Sequence, residues 1–224
     1  MDQNESHSWR EDVLQAAMAE LAEAGWRRFS LVGVARRTGG SVADVQAVIP
    51  TRWHLLRRLN AHLDRATFKV TVEELAALSV RDRLFELVMR RLDATTPFKP
   101  GVRRLARDAA REPALIVLSG STIRRSAGLM LDVAESGLGR PGTRLAAHAL
   151  AALYLRVLNV WLDDESDDQA RTLAELDRRL GQADRAARFA QRWRPRCRST
   201  NSPARDEKHW AGHHMPGKEE INPG

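Results

Sequence analysis

Residues 13–56 read VLQAAMAELAEAGWRRFSLVGVARRTGGSVADVQAVIPTRWHLL, and the punctuation of this stretch decides the fold. Leu14, Ala17, Met18 and Leu21 recur at i, i+3, i+4 and i+7, the apolar face of a helix from about Trp9 to Ala24. Gly25 follows as the residue expected just past its end. Ser30 offers a hydroxyl to start a second, short helix that stops at Gly39. Ser41 and Asp44 make an S-x-x-D capping box for a third. Pro50 then breaks the chain, and Thr51 opens a long fourth helix carrying Leu55, Leu56, Leu59 and Leu63. Three short helices running into a long one fit a helix-turn-helix unit. In such a unit the third helix enters the major groove and flanking residues hold phosphates.

Downstream the helical pattern continues. Ser79 and Asp82 make another capping box, followed by Phe85, Val88, Met89 and Leu92 on one face. Thr96 to Gly101 (TPFKPG) reads as a turn. Helices are expected over about 102–111 and 113–136, the second with Pro113 in its first turn. A Gly/Pro loop at 137–142 precedes a helix of about 143–163, and Ser166 and Gln169 are expected to cap a last helix reaching about Trp193. Leu173, Leu176, Leu180, Ala183, Ala187 and Ala190 form an a/d seam on it. The preceding helix carries Leu150, Leu153, Val157, Val160 and Trp161 on one stripe. His148, Ala152, Leu155 and Asn159 lie on the opposite one. One stripe can face the core while the other meets a second subunit, so a homodimer is expected. Strand signatures are nearly absent, and the chain reads as all-α.

The net charge of +7 is unevenly placed. Arg27, Arg28, Arg36, Arg37, Arg52, Arg57 and Arg58 are opposed over that interval only by Asp44, which is how a nucleic-acid footprint, or an arginine-biased composition, looks. Cys197 is the single cysteine, which excludes an internal disulfide and a thiolate metal site. The polar N-terminus lacks the pattern of a signal peptide, and the apolar run from Leu145 to Trp161 is interrupted by His148, Arg156 and Asn159. A cytoplasmic protein without an integral membrane segment is expected. HExxH, CxxC, Walker, GxGxxG and GxSxG patterns are missing, so the reading is of a non-enzyme with no cofactor and no resident metal.

On Gly25, Ser30, Val34, Ala35, Gly39, Ser41, Pro50, Thr51, Arg52, Leu55 and Leu56, residues 13–56 closely resemble the N-terminal domain of TetR-type regulators. The resemblance implies a dimeric, DNA-binding transcriptional regulator with a helical ligand-binding domain behind the reading head. The chain departs from that pattern at the end of the third helix. Gln46, Val48 and Ile49 stand where the family usually carries tyrosine, histidine and phenylalanine. Ile49 keeps the core contact and Gln46 can reach a phosphate or an adenine edge, but Val48 cannot donate a hydrogen bond.

A second resemblance covers residues 81–108 and 153–185, most specifically Trp161-Leu162-Asp163-Asp164-Glu165-Ser166 with Asp168, Thr172, Leu176, Asp177 and Leu180. These look like the C-terminal domain of the coenzyme-Q-biosynthesis accessory proteins, which share the TetR fold. It implies an isoprenoid lipid in a helical cavity, presented to a pathway enzyme of ubiquinone biosynthesis. The alternative to a regulator is therefore a lipid-binding accessory protein.

The expected organisation is a helix-turn-helix domain over 1–58, its fourth helix a connector to about 75. A ligand-binding and dimerisation domain over 79–194 and a disordered tail over 195–224 complete it. Arg36, Arg37, Thr51 and Arg52 are the expected phosphate contacts, and Ser41, Ala43, Asp44 and Gln46 the expected base readers on double-stranded DNA. Met89, Leu105, Ile116, Met130, His148 and Tyr154 are the candidate contacts to a hydrophobic small molecule or isoprenoid lipid. Leu150, Leu153, Val157, Trp161, Leu173, Leu176 and Leu180 are the expected homodimer interface. The acidic run 163–168 favours a helix N-terminus over a cation site. His209, His213 and His214 in the tail offer at most a loose metal grip.

Overall fold

The three caps expected around the reading head all form in the computed structural model, which describes residues 3–137 and 140–192. Helix α1 (Gln3–Ala24) is followed by α2 (Leu31–Thr38), α3 (Val42–Val48) and α4 (Arg52–Thr67). Beyond them come α5 (Val72–Ala76), α6 (Val80–Thr95), α7 (Lys99–Ala109), α8 (Pro113–Val133), α9 (Arg140–Asp163) and α10 (Ala170–Arg192). Among the described residues there is no strand. Gly25 ends α1 at φ +79°, a left-handed conformation that an L side chain enters only with strain.

The chain differs from the sequence reading in several places, among them α1 starting at Gln3 and α9 at Arg140, inside the expected 137–142 loop. The connector ends at Thr67, well short of residue 75, and a short α5 capped by Thr71 fills the gap. Residues Thr96–Phe98 form a 3₁₀ turn that runs directly into α7, so the expected turn is helical, with its two prolines in first-turn positions where no N–H is needed. Finally, α10 begins at Ala170, and Ser166 does not cap it. Asp168 accepts the Ala170 N–H at 3.1 Å, and Asp164 accepts the Thr172 N–H at 2.9 Å.

One continuous apolar core joins the two expected domains. Val13, Leu14, Ala17, Met18 and Leu21 of α1 and Val34, Val45 and Ile49 of α2–α3 meet Leu55, Leu56, Leu59 and Leu63 of α4. The same cluster extends through Leu87, Val88 and Leu92 of α6 into α8, α9 and α10. α1 lies along α7, α4 on α6 and α8, and α9 between α8 and α10. Gly101 makes the α1–α7 approach possible, because a Cβ there would stand 2.7 Å from the Met18 carbonyl oxygen. The helix-turn-helix unit is further tied down by polar contacts. Asp108 of α7 accepts the Trp26 N–H at 2.7 Å, and Glu112 pairs with Arg27 at 2.5 Å.

The stretch Gly142–Asp163 of α9 is, by length and composition, apolar enough to cross a membrane, contrary to the sequence expectation. Its Leu150, Leu153, Val157 and Trp161 face the protein interior, the mark of a core helix. Lys99 and Arg103 of α7 donate to carbonyls at its C-terminal end, Lys99 to Asp164 O at 2.8 Å and Arg103 to Leu162 O. Two cations are thus placed on the negative end of the helix dipole.

Candidate nucleic-acid interface

The candidate reading unit is built from α2, the Gly39–Ser41 turn and α3. The Ser30 hydroxyl accepts the N–H groups of Val32 and Gly33 at 3.2 and 3.5 Å, fixing where α2 begins. Ser41 Oγ accepts the Asp44 N–H at 3.1 Å, and Asp44 Oδ2 accepts the Ser41 N–H at 3.1 Å and the Ser41 hydroxyl at 2.6 Å. The hydroxyl bond, then the backbone bond, holds the Asp44 carboxyl below the usual carboxylate range. Val45 and Ile49 are wholly buried, so α3 can sit only one way round, with Val42, Ala43, Gln46 and Ala47 turned to solvent. The contact expected of Ile49 is therefore made.

Some of the expected DNA contacts are already committed inside the protein. All four expected readers are exposed; Ser41 and Asp44 also serve the capping box, whereas Ala43 and Gln46 do not. Arg37 is held by Glu20 at 3.1 Å and Glu23 at 2.5 Å, so it braces α2 against α1. Arg52 is half-buried. It donates to the Trp26 carbonyl at 3.3 Å, with its guanidinium 5.4 Å from the Trp26 ring and 5.5 Å from the Trp53 ring. Those two indoles meet edge to face at 4.8 Å. Arg52 thus locks the start of α4 to the end of α1, a role for which the family pattern gives no signal. Thr51 does not cap α4 with its side chain; its hydroxyl lies 2.9 Å from His54 Nδ1. Arg36 is exposed and, among the described residues, has no ion-pair partner. His54 and Arg57, also exposed on the first turns of α4, join it as candidate backbone contacts. His54 was missed because only its pairing with Thr51 sets it at the helix entrance.

The expected ligand contacts are not gathered in one place. Met130 and Tyr154 are closed into the core at 2% and 5% exposure, whereas Ile116 is 55% exposed and His148 lies on the outer surface. His148 Nδ1 bonds the Arg144 carbonyl at 2.8 Å. Met89 and Leu105 are half-buried against the core. The expected dimer residues need a similar correction. Leu150, Leu153, Val157, Trp161, Leu176 and Leu180 fill the chain's own core, and Leu173 is half-buried, so they have little surface to give a partner. The opposite stripe of α9, with His148, Ala152, Leu155 and Asn159, is the exposed one.

In the acidic run, Asp164 is buried and accepts four hydrogen bonds, two from Ser166 and two from Thr172. That network, led by the Ser166 and Thr172 hydroxyls, pushes its carboxyl well below the usual carboxylate range. Cys197, His209, His213, His214 and the remainder of the tail lie outside the described residues.

No family model and no curated protein matches the sequence. Among solved structures, a TetR transcriptional regulator from Nitrosomonas europaea is similar at 18% identity and a TM-score of 0.62, covering 78% of this chain and 97% of that one. A transcriptional regulator from Rhodococcus sp. Rha1 is similar at 22% identity and a TM-score of 0.53, over 79% and 96% of the two chains. A TetR transcriptional regulator from Rhodococcus sp. RHA1 is similar at 20% identity and a TM-score of 0.50, over 78% and 97%. The chain therefore has the fold of the TetR-type transcriptional regulators, a helix-turn-helix head fused to a helical bundle.

Proposed function

We propose that the protein is a homodimeric, DNA-binding transcriptional regulator. The observation that carries this reading is α3 itself. Its N-terminus is closed by the reciprocal Ser41–Asp44 capping box and its inner face is pinned by Val45 and Ile49, and it presents Ala43 and Gln46 outward, with Arg36 exposed on α2. A short helix held this firmly, yet apolar and amide-bearing on its outer face, suits the major groove. Gln46 can bond an adenine edge and Ala43 can touch a thymine methyl. In a symmetric dimer two such heads would read half-sites about 34–36 Å apart. A role on chromosomal DNA puts the protein in the cytoplasm.

The second copy would cover the outer surface of α8 and α9, where Ile116, Val117, Leu129, Leu145 and Leu155 are exposed apolar side chains. A hydrophobic effector would act by binding one spacing of the heads better than another. Met89 and Leu105 remain its candidate contacts. The lipid-carrier alternative draws on the likeness of the acidic turn after α9. Asp164 accounts for that turn as architecture, so the regulator is the preferred reading.

The test is retention of sheared genomic DNA by the purified protein, followed by sequencing. A few enriched sites sharing an inverted repeat, lost in Arg36→Ala/Gln46→Ala, are expected. Uniform retention that vanishes as salt rises would mean phosphate attraction alone and would overturn the reading.

A further inference from the structure

A cleft of about 220 Å³ lies where α1 crosses α4, lined by Arg10, Glu11 and Leu14 of α1 and by Arg58, His62 and Arg65 of α4. Arg58, His62 and Arg65 recur at i, i+4 and i+7, so they share one face of α4. Like charges converge there. Arg58 is half-buried, and among the described residues it has no carboxylate partner. Burial and then the charges of Arg10 and Arg65 disfavour its guanidinium. Glu11 and His62 line the same cleft, and for Arg58 burial is the larger effect and the charges of Arg10 and Arg65 the smaller. The cleft between α6 and α10 differs, because its Arg81 and Arg188 are met by Asp177 and Asp184.

We propose that the Arg10–Arg58–Arg65 cleft is a binding site for a small phosphate-bearing anion, either free phosphate or a phosphomonoester. Three arginines lining one concavity suit a tetrahedral dianion, since each guanidinium offers a planar fork of donors. The Arg65 end of the site lies away from the proposed DNA contact. Arg65 stands thirteen residues beyond Arg52, about 20 Å further along the helix axis. Its neighbour Asp64 faces Arg91 of α6, which puts this end of α4 against the bundle. An anion here would bridge α1 to α4 from Arg58, one residue past Arg57, to Arg65 near the helix end.

Thermal melting of the full chain in inorganic phosphate, against chloride at equal ionic strength, tests the site. For a site of about 1 mM affinity, ~10 mM phosphate should raise Tm by about 3 °C beyond chloride. Phosphate also stabilises proteins generally by exclusion from their surfaces, so the deciding quantity is the difference between variants. Arg65→Ala and Arg58→Gln should lose the extra rise, while Arg36→Ala keeps it. Arg58→Gln should also melt higher than the wild type without phosphate, because a half-buried charge flanked by like charges is removed. If Arg58→Gln does not fold, the exposed Arg65→Ala decides alone. Glycerol phosphate in place of inorganic phosphate separates the two sources. A larger rise points to a phosphomonoester, and no rise to free phosphate. An equal phosphate effect in wild type and Arg65→Ala overturns the proposal. So does a mixed-sequence DNA duplex giving the same Arg65-dependent rise, which would make these arginines a DNA contact. The measurement involves no operator, so it can fail while the regulator reading stands, or the reverse.

Discussion

The Arg91 guanidinium meets the Asp64 carboxylate at 2.5 Å, with the arginine side chain only 2% exposed. Arg91 also donates to Asn60 Oδ1 at 2.6 Å and lies 5.5 Å from the Tyr154 ring, while Ser126 donates to Asp64 at 2.6 Å. The pair therefore joins α4, the helix leaving the helix-turn-helix unit, to α6, α8 and α9. Removing one member of a buried pair strands the other, at a cost of about 3 kcal/mol. Arg91→Met should lose that much in urea unfolding. Adding Asp64→Asn removes the stranded charge and keeps an amide for Asn60 and Ser126, so the double variant should recover about 1–2 kcal/mol. A double variant less stable than Arg91→Met would show that the carboxylate is not what the loss of Arg91 strands.

Gly101 is a packing requirement, since a Cβ there would come within 2.7 Å of the Met18 carbonyl oxygen and 2.8 Å of its methyl carbon. The methionine methyl can move; the α1 backbone cannot without shifting the head. Gly101→Ala is expected to destabilise by about 1–3 kcal/mol despite alanine's better helix propensity. An unchanged or raised melting temperature would mean that α1 and α7 part readily, and the head would then be less firmly seated than its contacts imply.

What was legible in the sequence was local. Ser30, Ser41 and Asp44 announced their caps because capping depends on residues three or four apart, and the alternation of Leu14, Ala17, Met18 and Leu21 fixed the buried face of α1. Illegible were long-range choices among equivalent side chains. The stripe of Leu150, Val157 and Trp161 and the stripe of His148 and Leu155 are both apolar enough to face either the core or a partner. Only the packing of α9 between α8 and α10 decides which is which. Arg37 and Arg52 had the same difficulty. An arginine near a helix-turn-helix reads as a phosphate contact until Glu20, Glu23 and the Trp26–Trp53 pair are seen to hold it. The turn after α9 hid its cap because Asp164 reaches eight residues forward to Thr172.

The exposed stripe of α9 yields a prediction about assembly. Leu155 is 43% exposed and Leu145 74% exposed, which is costly for an isolated chain and natural beneath a second copy. A stable interface there would bury about 1,600 Å² in total. Sedimentation should find a dimer at micromolar protein, and Leu155→Glu should give a folded monomer with unchanged helicity. Its DNA retention should fall with it, because each head alone reads one half-site. A Leu155→Glu protein that still sediments as a dimer would move the interface elsewhere.

Asp164 gives the last prediction, through pH. Its carboxyl is held below the ordinary value by the Ser166 and Thr172 hydroxyls, so the folded chain binds that proton less readily than the unfolded chain does. The stability this supplies is fully present above the ordinary carboxylate value of about 3.9 and is lost as pH falls toward the lower folded value. Asp164→Asn removes the contribution at every pH. The variant should therefore melt below the wild type at neutral pH, and the gap should narrow steadily as the buffer is taken from about pH 5 to pH 2.5. Asp108 and Glu175 are also held low, so the wild type will lose stability in acid for further reasons; the narrowing difference isolates Asp164. A gap that stays constant down to pH 2.5 would mean that the side chain matters at this turn through its shape and neutral hydrogen bonds, and its charge would then contribute nothing to holding the start of α10 against the end of α9.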